Sequence, residues 1–365
     1  MRKNSSKKFI NNFRNKKILI TGHTGFKGSW LTLCLKYLGA NILGISKNIP
    51  TVPSNFVVSN INKNVKSMSF DIKDFNKVKK TVKKFEPDFI FHLAAQSLVG
   101  TSYEKPLETW SSNLIGTINI LESIRDTKKK ITIIMITSDK AYKNIEKKSG
   151  YKETDILGGE DPYSASKSSA EFAIGSYFKS FLKNKKNIKL GVARAGNVIG
   201  GGDWSKDRLI PDCVRSWSRK KKVLIRNPSS TRPWQHVLEA VWGYVFFASK
   251  LKYNKNLNGH AFNFGPKSKK NYSVSELLKM MRKYWSDAHY SYPKKKKKKF
   301  NESKLLKLNC TKARKLLKWQ SVLNFNETAN LTIEWYYNFY FKNKNMEKIS
   351  QEHIKQYEKF FNKRN

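Results

Sequence analysis

The stretch that decides the fold is residues 16–28, Lys-Lys-Ile-Leu-Ile-Thr-Gly-His-Thr-Gly-Phe-Lys-Gly. An apolar run typical of a short buried strand leads into Gly22, Gly25 and Gly28, and an apolar helical pattern follows over residues 30–38. The glycines allow a tight turn and a close backbone approach, and the N-terminus of the helix then faces a pyrophosphate. Strand, glycine turn and helix in this order predict a dinucleotide-binding unit.

Further strands and helices alternate beyond this unit. Strand patterns cover residues 41–46, 67–70, 89–93, 131–137 and 190–195, and helical patterns cover 74–85 and 107–125. This alternation predicts an α/β fold of the Rossmann type, a doubly wound parallel sheet with ligands at the carboxyl ends of its strands. Asp71, Ala94 and Thr137 fall at these ends.

The second strand has an unusual ending for a dinucleotide site. It ends in Ser46-Lys47, where an acidic residue typically holds the adenine ribose of NAD. Lys47 is instead suited to the 2′-phosphate of NADP. On the residues alone, NAD and NADP therefore both stay open.

Residues 137–167 carry two kinds of chemistry. Tyr163 and Lys167, four residues apart, lie on one face of a predicted helix, so an ammonium group can sit near a phenol. This predicts a lowered pKa for the phenol, which is then able to take a proton from an alcohol. Asp139 and Lys140 follow a buried strand and offer an acid and a base for a second step, although the pair is also compatible with an ordinary ion pair.

The net charge of +45 comes from 72 lysines and arginines against 27 acidic residues. The lysines are spread through the whole chain, so we interpret them as solvated surface charge. We expect no nucleic-acid binding, which needs clustered basic residues in a recognisable module. The lysine run at 294–299 is interpreted as an exposed loop. The overall positive field should attract a doubly charged pyrophosphate substrate.

Cysteine spacing and hydropathy argue against several classes of protein. Cys34, Cys213 and Cys310 show neither metal-ligand spacing nor a disulfide framework, so we expect no metal site and a reducing, cytoplasmic location. No stretch reaches about 18 uncharged apolar residues, which predicts that the chain does not enter a membrane.

Three motifs together resemble the extended short-chain dehydrogenases/reductases, a superfamily that works on nucleotide sugars. They are the glycine turn, residues 92–96 (His-Leu-Ala-Ala-Gln) and the pair Tyr163-x-x-x-Lys167. Longer strings narrow the resemblance to the 4,6-dehydratases of CDP-glucose. These strings are residues 21–30, 137–140, 161–167, 194–204 and 232–236. The resemblance extends over residues 16–337, nearly the whole chain.

The resemblance implies a redox-neutral dehydration with bound NAD. Tyr163 would take the proton of the sugar's C4 hydroxyl, Ser138 would hydrogen-bond that hydroxyl, and Lys167 would hold the nicotinamide ribose. The C4 ketone makes the C5 proton acidic. Lys140 would then act as the base at C5 and Asp139 as the acid at the C6 hydroxyl, and return of the hydride to C6 gives a 4-keto-6-deoxy sugar.

The resemblance also implies binding residues. The cofactor would contact Gly22, Thr24, Gly25, Phe26, Lys27, Gly28, Asp71, Ile72, Leu93, Ala94, Ala95, Thr137, Tyr163 and Lys167. CDP-glucose would contact Gln96, Asn197, Arg208, Leu209, Ile210, Arg226, Arg232 and Asn263. Arg226 and Arg232 are the strongest candidates for the diphosphate, because a guanidinium fork matches phosphate oxygens, although each is also compatible with a solvated surface charge. His23 and His92 are assigned no proton-transfer role.

The expected organisation has three parts. An NAD-binding domain covers residues 16–195, a mainly substrate-binding domain interleaved with it covers 196–341, and a charged tail, either frayed or attached to the surface, covers 342–365. The superfamily implies a homodimer or higher homo-oligomer through helices at 106–125 and 163–182. Three alternatives stay open: a 4-epimerase, a dehydratase of another nucleotide sugar, and a basic binding protein with a degenerate dinucleotide fold.

Overall fold

A parallel sheet of seven strands forms the centre of the computed structural model, which describes residues 9, 11–267, 271–292 and 305–364. Its strands are β1 (Lys17–Thr21), β2 (Asn41–Ser46), β3 (Lys66–Ser69), β4 (Phe89–His92), β5 (Ile131–Ser138), β6 (Ile188–Ala195) and, after shorter strands numbered β7 to β10 below, β11 (Ala261–Phe264). Their order is β11-β6-β5-β4-β1-β2-β3. The predicted doubly wound parallel sheet is confirmed. The lysine run at 294–299 lies outside the described residues.

Parallel pairing brings the carboxyl ends of the strands to one edge. Thr21 pairs with Ile45 and His92, and Ala195 pairs with both Ser138 and Phe264. All eight residues of β5 are buried, because helices cover both faces of the sheet. Side chains at the end of this strand therefore enter a protected site.

The helices lie between and after the strands. They are α1 (Phe26–Tyr37), α2 (Asn55–Val58), α3 (Ile61–Asn64), α4 (Phe75–Phe85), α5 (Val99–Glu104), α6 (Pro106–Trp110), α7 (Gly116–Ile124), α8 (Pro162–Tyr177), α9 (Leu209–Trp217), α10 (Val237–Tyr253), α11 (Val274–Arg282), α12 (Phe325–Phe341) and α13 (Met346–Arg364). Single π turns extend three helical segments: Ser111–Ile115, Phe178–Leu182 and Ala313–Leu317. Within the described ranges, no helix is long and apolar enough to cross a bilayer.

Two apolar layers sandwich the sheet. On one face, α1 and α10 bury Trp30 and Trp242 in a large cluster that continues into the C-terminal half of the chain. On the other face, α4, α7 and α8 bury a smaller aliphatic cluster that includes Val78, Ile120 and Ile174. One core therefore joins the sheet to the segments that follow it.

Short strands in the second half of the chain stand beside the carboxyl edge. They are β7 (Val198–Ile199), β8 (Val223–Leu224), β9 (Thr231–Arg232), β10 (Gln235–His236), β12 (Tyr272–Ser273) and β13 (Tyr290–Ser291). They pair as β7 with β10, β8 with β13, and β9 with β12. These pairs hold the loops that face the site.

The tail expected at 342–365 is a helix, α13, that is attached to the body of the protein. Its anchor is the buried carboxylate of Glu239 on α10. Glu239 Oε2 accepts the hydroxyl of Tyr357 at 2.6 Å, and Oε1 accepts the backbone N–H groups of Val322 and Leu323 at 2.8 and 2.6 Å. One side chain thus joins three segments that are distant in sequence.

Replacing Glu239 with Gln is expected to remove a pH-dependent part of the stability. Burial raises the pKa of the carboxyl from 4.5 to about 7. The folded chain holds a proton that the unfolded chain releases, so the free energy of unfolding falls as pH rises from 4.5 towards 7. This fall, of order ~3 kcal/mol, should be absent from Glu239→Gln. Denaturant unfolding at several pH values measures it, and identical pH slopes for both proteins would contradict the assignment.

Candidate active site

The glycine turn between β1 and α1 leaves no room for side chains. Gly22 has a φ of +77°, and a Cβ there would lie 2.7 Å from the backbone nitrogen of Ala94. A Cβ on Gly28 would lie 2.0 Å from the carbonyl oxygen of Gly22. The helix begins at Phe26, and no side chain caps its first turn. The cofactor residues expected at 22–28 and 93–95 therefore share one edge, with a backbone cradle and helix N-terminus that fit a pyrophosphate.

The two histidines near this turn are bound into the scaffold. His23 lies 2.9 Å from Ser46 Oγ and 2.8 Å from Ser67 Oγ through its two ring nitrogens. His92 Nδ1 lies 2.8 Å from Thr21 Oγ1. Burial lowers the pKa of His23 to about 4 and that of His92 to about 3. Both rings are neutral at physiological pH. Among the described residues, no three His, Cys, Asp or Glu side chains are arranged to hold a metal ion.

Lys47 at the end of β2 is engaged by two carboxylates. Its ammonium lies 3.2 Å from Glu108 Oε1 and 3.4 Å from Asp71 Oδ2, and Glu108, followed by Asp71, raises its pKa. Asp71 also accepts the backbone N–H of Lys73 at 3.0 Å, and Ile72 beside it is buried. The cation that seemed suited to a 2′-phosphate is thus already opposed by two negative charges.

The end of β5 leads into a 3-10 turn, Asp139–Ala141. Ser138 Oγ donates to Asp139 Oδ1 at 2.9 Å and accepts the backbone N–H of Lys140 at 3.2 Å. Asp139 is 7% exposed. Burial raises the pKa of its carboxyl, against opposing effects of the Ser138 bond and of the Lys140 and Lys27 charges. A raised pKa favours the protonated form that general-acid catalysis requires.

Tyr163 and Lys167 occupy the first turns of α8, where Asp161 caps the helix by accepting the Ser164 N–H at 2.9 Å. The Lys167 ammonium lies 6.0 Å from the centre of the Tyr163 ring. Burial raises the pKa of the Tyr163 hydroxyl, and the Ser138 bond lowers it only in part. The expectation that Lys167 brings this pKa below its ordinary value is wrong for this structure, because both groups are buried. Burial lowers the pKa of Lys167 to about 8.

Lys27 connects the glycine turn to residues 137–140, the segment that is expected to carry the catalysis (the catalytic segment). It is half-buried in the first turn of α1. Burial lowers its pKa to about 8, while the charge of Asp139 raises it and that of Arg208 lowers it. Lys27 in turn lowers the pKa of Lys167. This concentration of positive charge is suited to a diphosphate ligand.

A buried ion pair fixes the catalytic strand and helix relative to each other. Thr137 Oγ1 donates to Glu171 Oε1 at 2.6 Å, and Arg194 Nε donates to the same oxygen at 2.7 Å. Arg194 Nη1 also donates to the hydroxyl of Tyr142 at 2.6 Å. The partners come from β5, α8 and β6. The network therefore fixes the distance between the end of β5, which carries Ser138, and the part of α8 that carries Lys167.

Comparison with known sequences identifies the family of this chain. A family model described as GDP-mannose 4,6 dehydratase matches residues 19–332. CDP-glucose 4,6-dehydratase of Salmonella typhimurium is 41% identical over 330 residues, which are 89% of this chain and 92% of that protein. The chain belongs to this dehydratase family. The resemblance expected from the motif strings is confirmed.

Solved structures related to the dehydratase share its fold. The epimerase Mth375 of Methanothermobacter thermautotrophicus has a TM-score of 0.77 at 22% identity, covering 96% of this chain and 97% of that chain. UDP-glucuronic acid 4-epimerase of Bacillus cereus, in complex with UDP-glucuronic acid and NAD, has a TM-score of 0.74 at 23% identity, covering 88% and 99%. These likenesses establish a shared scaffold for dehydratases and epimerases.

The dehydratase carries its expected substrate residues on loops of the second half. Leu209 and Ile210 begin α9, and Arg208 before them is held by Asp203 at 2.9 Å. The remaining candidates for the diphosphate are exposed or half-buried: Asn197, Arg226 and Arg232. Arg232 Nη1 donates to the carbonyl of Thr231 at 2.9 Å.

Two residues that are expected to contact the substrate form hydrogen bonds within the protein. Asn263 is fully buried; its Oδ1 accepts the hydroxyl of Tyr142 at 2.8 Å, and its Nδ2 donates to the carbonyl of Tyr151 at 2.8 Å. The Gln96 side chain folds back on its own loop, where Oε1 accepts the N–H of Leu98 and Nε2 donates to the same residue's carbonyl at 3.0 Å. Both amides form internal bonds in this structure, and their assignment to substrate stays a prediction.

Sequence reasoning missed the Glu171–Arg194 pair. A signal for Glu171 is present, because it follows Lys167 by four residues and so occupies the same helix face. Arg194 lies in one of the motif strings, but a charged residue within a buried strand has no local partner. The two charges meet only because α8 packs against the sheet where β6 lies beside β5.

Proposed function

We propose that this dehydratase converts CDP-glucose to CDP-4-keto-6-deoxyglucose and water with bound NAD, which supplies the acceptor and the donor of one hydride. The observation that carries the proposal is a buried Asp139 carboxyl with a raised pKa, next to Lys140 and at the same sheet edge as Tyr163 and Lys167. Oxidation at C4 needs only the last two residues. The adjacent acid and base supply the loss of water.

In the first step, Tyr163 takes the proton of the C4 hydroxyl. Ser138 is close enough to the Tyr163 hydroxyl to lower its pKa, and it is placed to align the substrate oxygen at the same point. Burial disfavours the phenolate that this step requires, and the ammonium of Lys167, on the same helix face, acts in the opposite direction. The Glu171 pair keeps Lys167 and Ser138 in register during the transfer.

In the second step, C5 loses a proton and C6 loses its hydroxyl group, which leaves as water. Lys140 takes the C5 proton, which the neighbouring C4 ketone has made acidic. Asp139 gives its proton to the departing C6 oxygen and becomes a carboxylate. Burial raises its pKa, which favours the protonated form that this step requires. The product retains the oxidation level of the substrate because the hydride returns to C6 and the proton held by Lys140 returns to C5.

One observation supports a bound dinucleotide of either kind, and a second favours NAD over NADP. The residues of the glycine turn fit a dinucleotide, since added side chains would fill the cradle. At the position of the adenine ribose, Lys47 is paired with Glu108 and Asp71. These two carboxylates repel a 2′-phosphate and are able to accept ribose hydroxyls. The acidic function expected after the second strand is therefore supplied by other segments.

The choice of CDP-glucose rests on the Salmonella typhimurium relative, whose name gives that substrate. The chemistry of this chain supports the diphosphate part. Arg208, Arg226 and Arg232 lie in the loops beside the site, and guanidinium groups bind phosphate oxygens in pairs. Since the field around the site is positive, a doubly charged diphosphate is attracted to it.

We also propose a homodimer through the helices at 106–125 and 163–182. Four large apolar side chains on these segments are exposed: Leu107 is 82%, Ile115 44%, Phe172 61% and Phe181 44% exposed. The two helical segments contact each other, and exposed apolar side chains on neighbouring segments are typical of a protein interface. Sedimentation analysis should give a dimer for the native chain and a monomer for Leu107→Glu combined with Phe172→Glu. A native monomer would contradict the proposal.

The test of function is incubation of the purified chain with CDP-, UDP-, GDP- and dTDP-glucose, with and without added NAD. The alkali-induced absorbance of 4-keto-6-deoxy products is followed. Product from CDP-glucose, with no net reduction of NAD, is expected. Product from another nucleotide sugar would transfer the assignment to that substrate. A 4-epimer without any keto product would move the chain to the epimerases and leave Asp139 and Lys140 as a structural ion pair.

A further inference from the structure

A buried tyrosine of α10 has a hydroxyl group without a partner. Tyr244 is 0% exposed, and among the described residues its hydroxyl forms no hydrogen bond. A buried polar group left in this condition costs free energy of about 1–3 kcal/mol. Phenylalanine would fill the same space without that cost. The hydroxyl group therefore calls for an explanation in terms of function.

The register of the sheet places Tyr244 at the level of the catalytic segment. Its ring lies 5.7 Å from that of Phe264, at an interplanar angle of 90°. Phe264 pairs with Ala195, and Ala195 pairs with Ser138. These three residues form one row at the carboxyl edge of β11, β6 and β5. Tyr244 contacts the end of this row.

The direction of the Tyr244 side chain also leads to the site. α10 follows β10, which pairs with β7 just beyond the carboxyl end of β6, so the helix starts at this edge and runs away from it. Side chains on a helix tilt towards its N-terminus. Tyr244, two turns into the helix, therefore extends back towards Asp139. Gly196 leaves the space beside Asp139 open, since a Cβ there would lie 3.1 Å from Asp139 Oδ2.

We infer that Tyr244 is a positioning residue for Asp139. The Tyr244 hydroxyl donates a hydrogen bond to the carboxylate that forms when Asp139 protonates the departing C6 hydroxyl. This inference rests on the proposed dehydration. The proton of that step passes from Asp139 to the oxygen that leaves as water, and Tyr244 keeps its own proton. Burial raises the pKa of Tyr244 well above its ordinary value, and the nearby Asp139 and Tyr163 raise it further. Tyr244 therefore remains a donor throughout.

Several other groups act on Asp139 and must be held constant in a test. Ser138 bonds to it, Lys140 follows it, and Lys27 approaches from α1. Tyr163 on α8 is close enough for the Asp139 charge to affect its pKa, and Arg208 acts on the same hydroxyl. Tyr244→Phe leaves all of these groups in place and keeps the ring that contacts Phe264. The substitution removes one oxygen atom.

The direct test is a carboxyl ¹³C NMR titration of the full chain labelled at aspartate, with the Asp139 signal identified by its loss in Asp139→Asn. A donor to the carboxylate favours the charged form and lowers the pKa. Tyr244→Phe is therefore expected to raise the pKa of Asp139 by about one unit. The matched control is Tyr357→Phe, which removes a buried hydroxyl bonded to Glu239 and should leave the Asp139 titration unchanged. An unshifted Asp139 signal in Tyr244→Phe would overturn the inference, whatever the activity.

A kinetic readout separates this role from simple destabilisation. With CDP-glucose and NAD, Tyr244→Phe should slow the loss of water by about tenfold, which corresponds to one pKa unit of Asp139 stabilisation. The formation of reduced nicotinamide in a single turnover should keep its native rate, because Asp139 does not change its charge in that step. Equal slowing of both steps would indicate a structural effect and would overturn the inference. If the native chain dehydrates no nucleotide sugar, the proposed function fails, and the NMR titration still decides whether the two residues interact.

Discussion

We expect Tyr163→Phe to abolish both the oxidation at C4 and the elimination of water, with a decrease in kcat of about a thousandfold or more. Proton transfer by a positioned side chain contributes about 10²–10⁴-fold, and Tyr163 is the base for the first step on which all later steps depend. The ring of Phe fills the same buried space, so the fold is retained. Formation of reduced nicotinamide in a single turnover and formation of the keto product are the two measurements.

The matched control for this substitution is Tyr177→Phe. Tyr177 lies on the same helix, α8, and its hydroxyl is associated with Glu122 rather than with the catalytic segment. Native activity is expected. If Tyr163→Phe still forms reduced nicotinamide at the native rate, another group removes the C4 proton and the assignment of Tyr163 is incorrect.

Lys140→Met separates the two halves of the reaction. The variant should still oxidise C4, because Tyr163, Lys167 and the cofactor turn are unchanged, but it lacks the base at C5. The decrease in keto-product formation should be about 10²–10⁴-fold, as for the loss of a general base. A bound keto sugar and reduced nicotinamide should accumulate together. Rapid-quench analysis of the sugar, with the nicotinamide absorbance followed in parallel, measures both.

Lys143→Met is the control for charge alone. Lys143 is exposed three residues further along the chain, and its loss changes the net charge by the same amount. Its activity should be native. Normal turnover in Lys140→Met would show that the C5 proton goes to a different base, and the half-buried Lys27, whose pKa is lowered to about 8, would then be the next residue to test.

Local patterns account for most of the sheet. The strand predicted at 41–46 corresponds to β2, because an apolar run bounded by polar residues has few other buried conformations. The helix predicted at 107–125 is an almost continuous helical stretch with a π turn inside. β11 was not predicted. Its four residues, Ala261–Phe264, are too short to identify from periodicity, and their place beside β6 depends on contacts that are distant in sequence.

The candidate site was predictable where chemistry follows spacing. Tyr163 and Lys167 share a helix face, and Asp139 follows a strand end, so their meeting at one edge required only the fold class. The internal bonds of Asn263 and Gln96 could not be predicted, because the direction of an amide depends on its tertiary partners. The predicted lowering of the Tyr163 pKa failed for a similar reason, since burial is set by the whole structure and not by the residue four positions away.

The attachment of α13 has a consequence for synthesis of the protein. The ring of His353 on α13 stacks on Trp30 of α1, with ring centres 6.5 Å apart, and Glu239 receives Tyr357 from the same helix. The ribosome makes α1 before α13. The aromatic surface of α1 around Trp30 therefore stays partly uncovered in the nascent chain until α13 has been made and has packed against it.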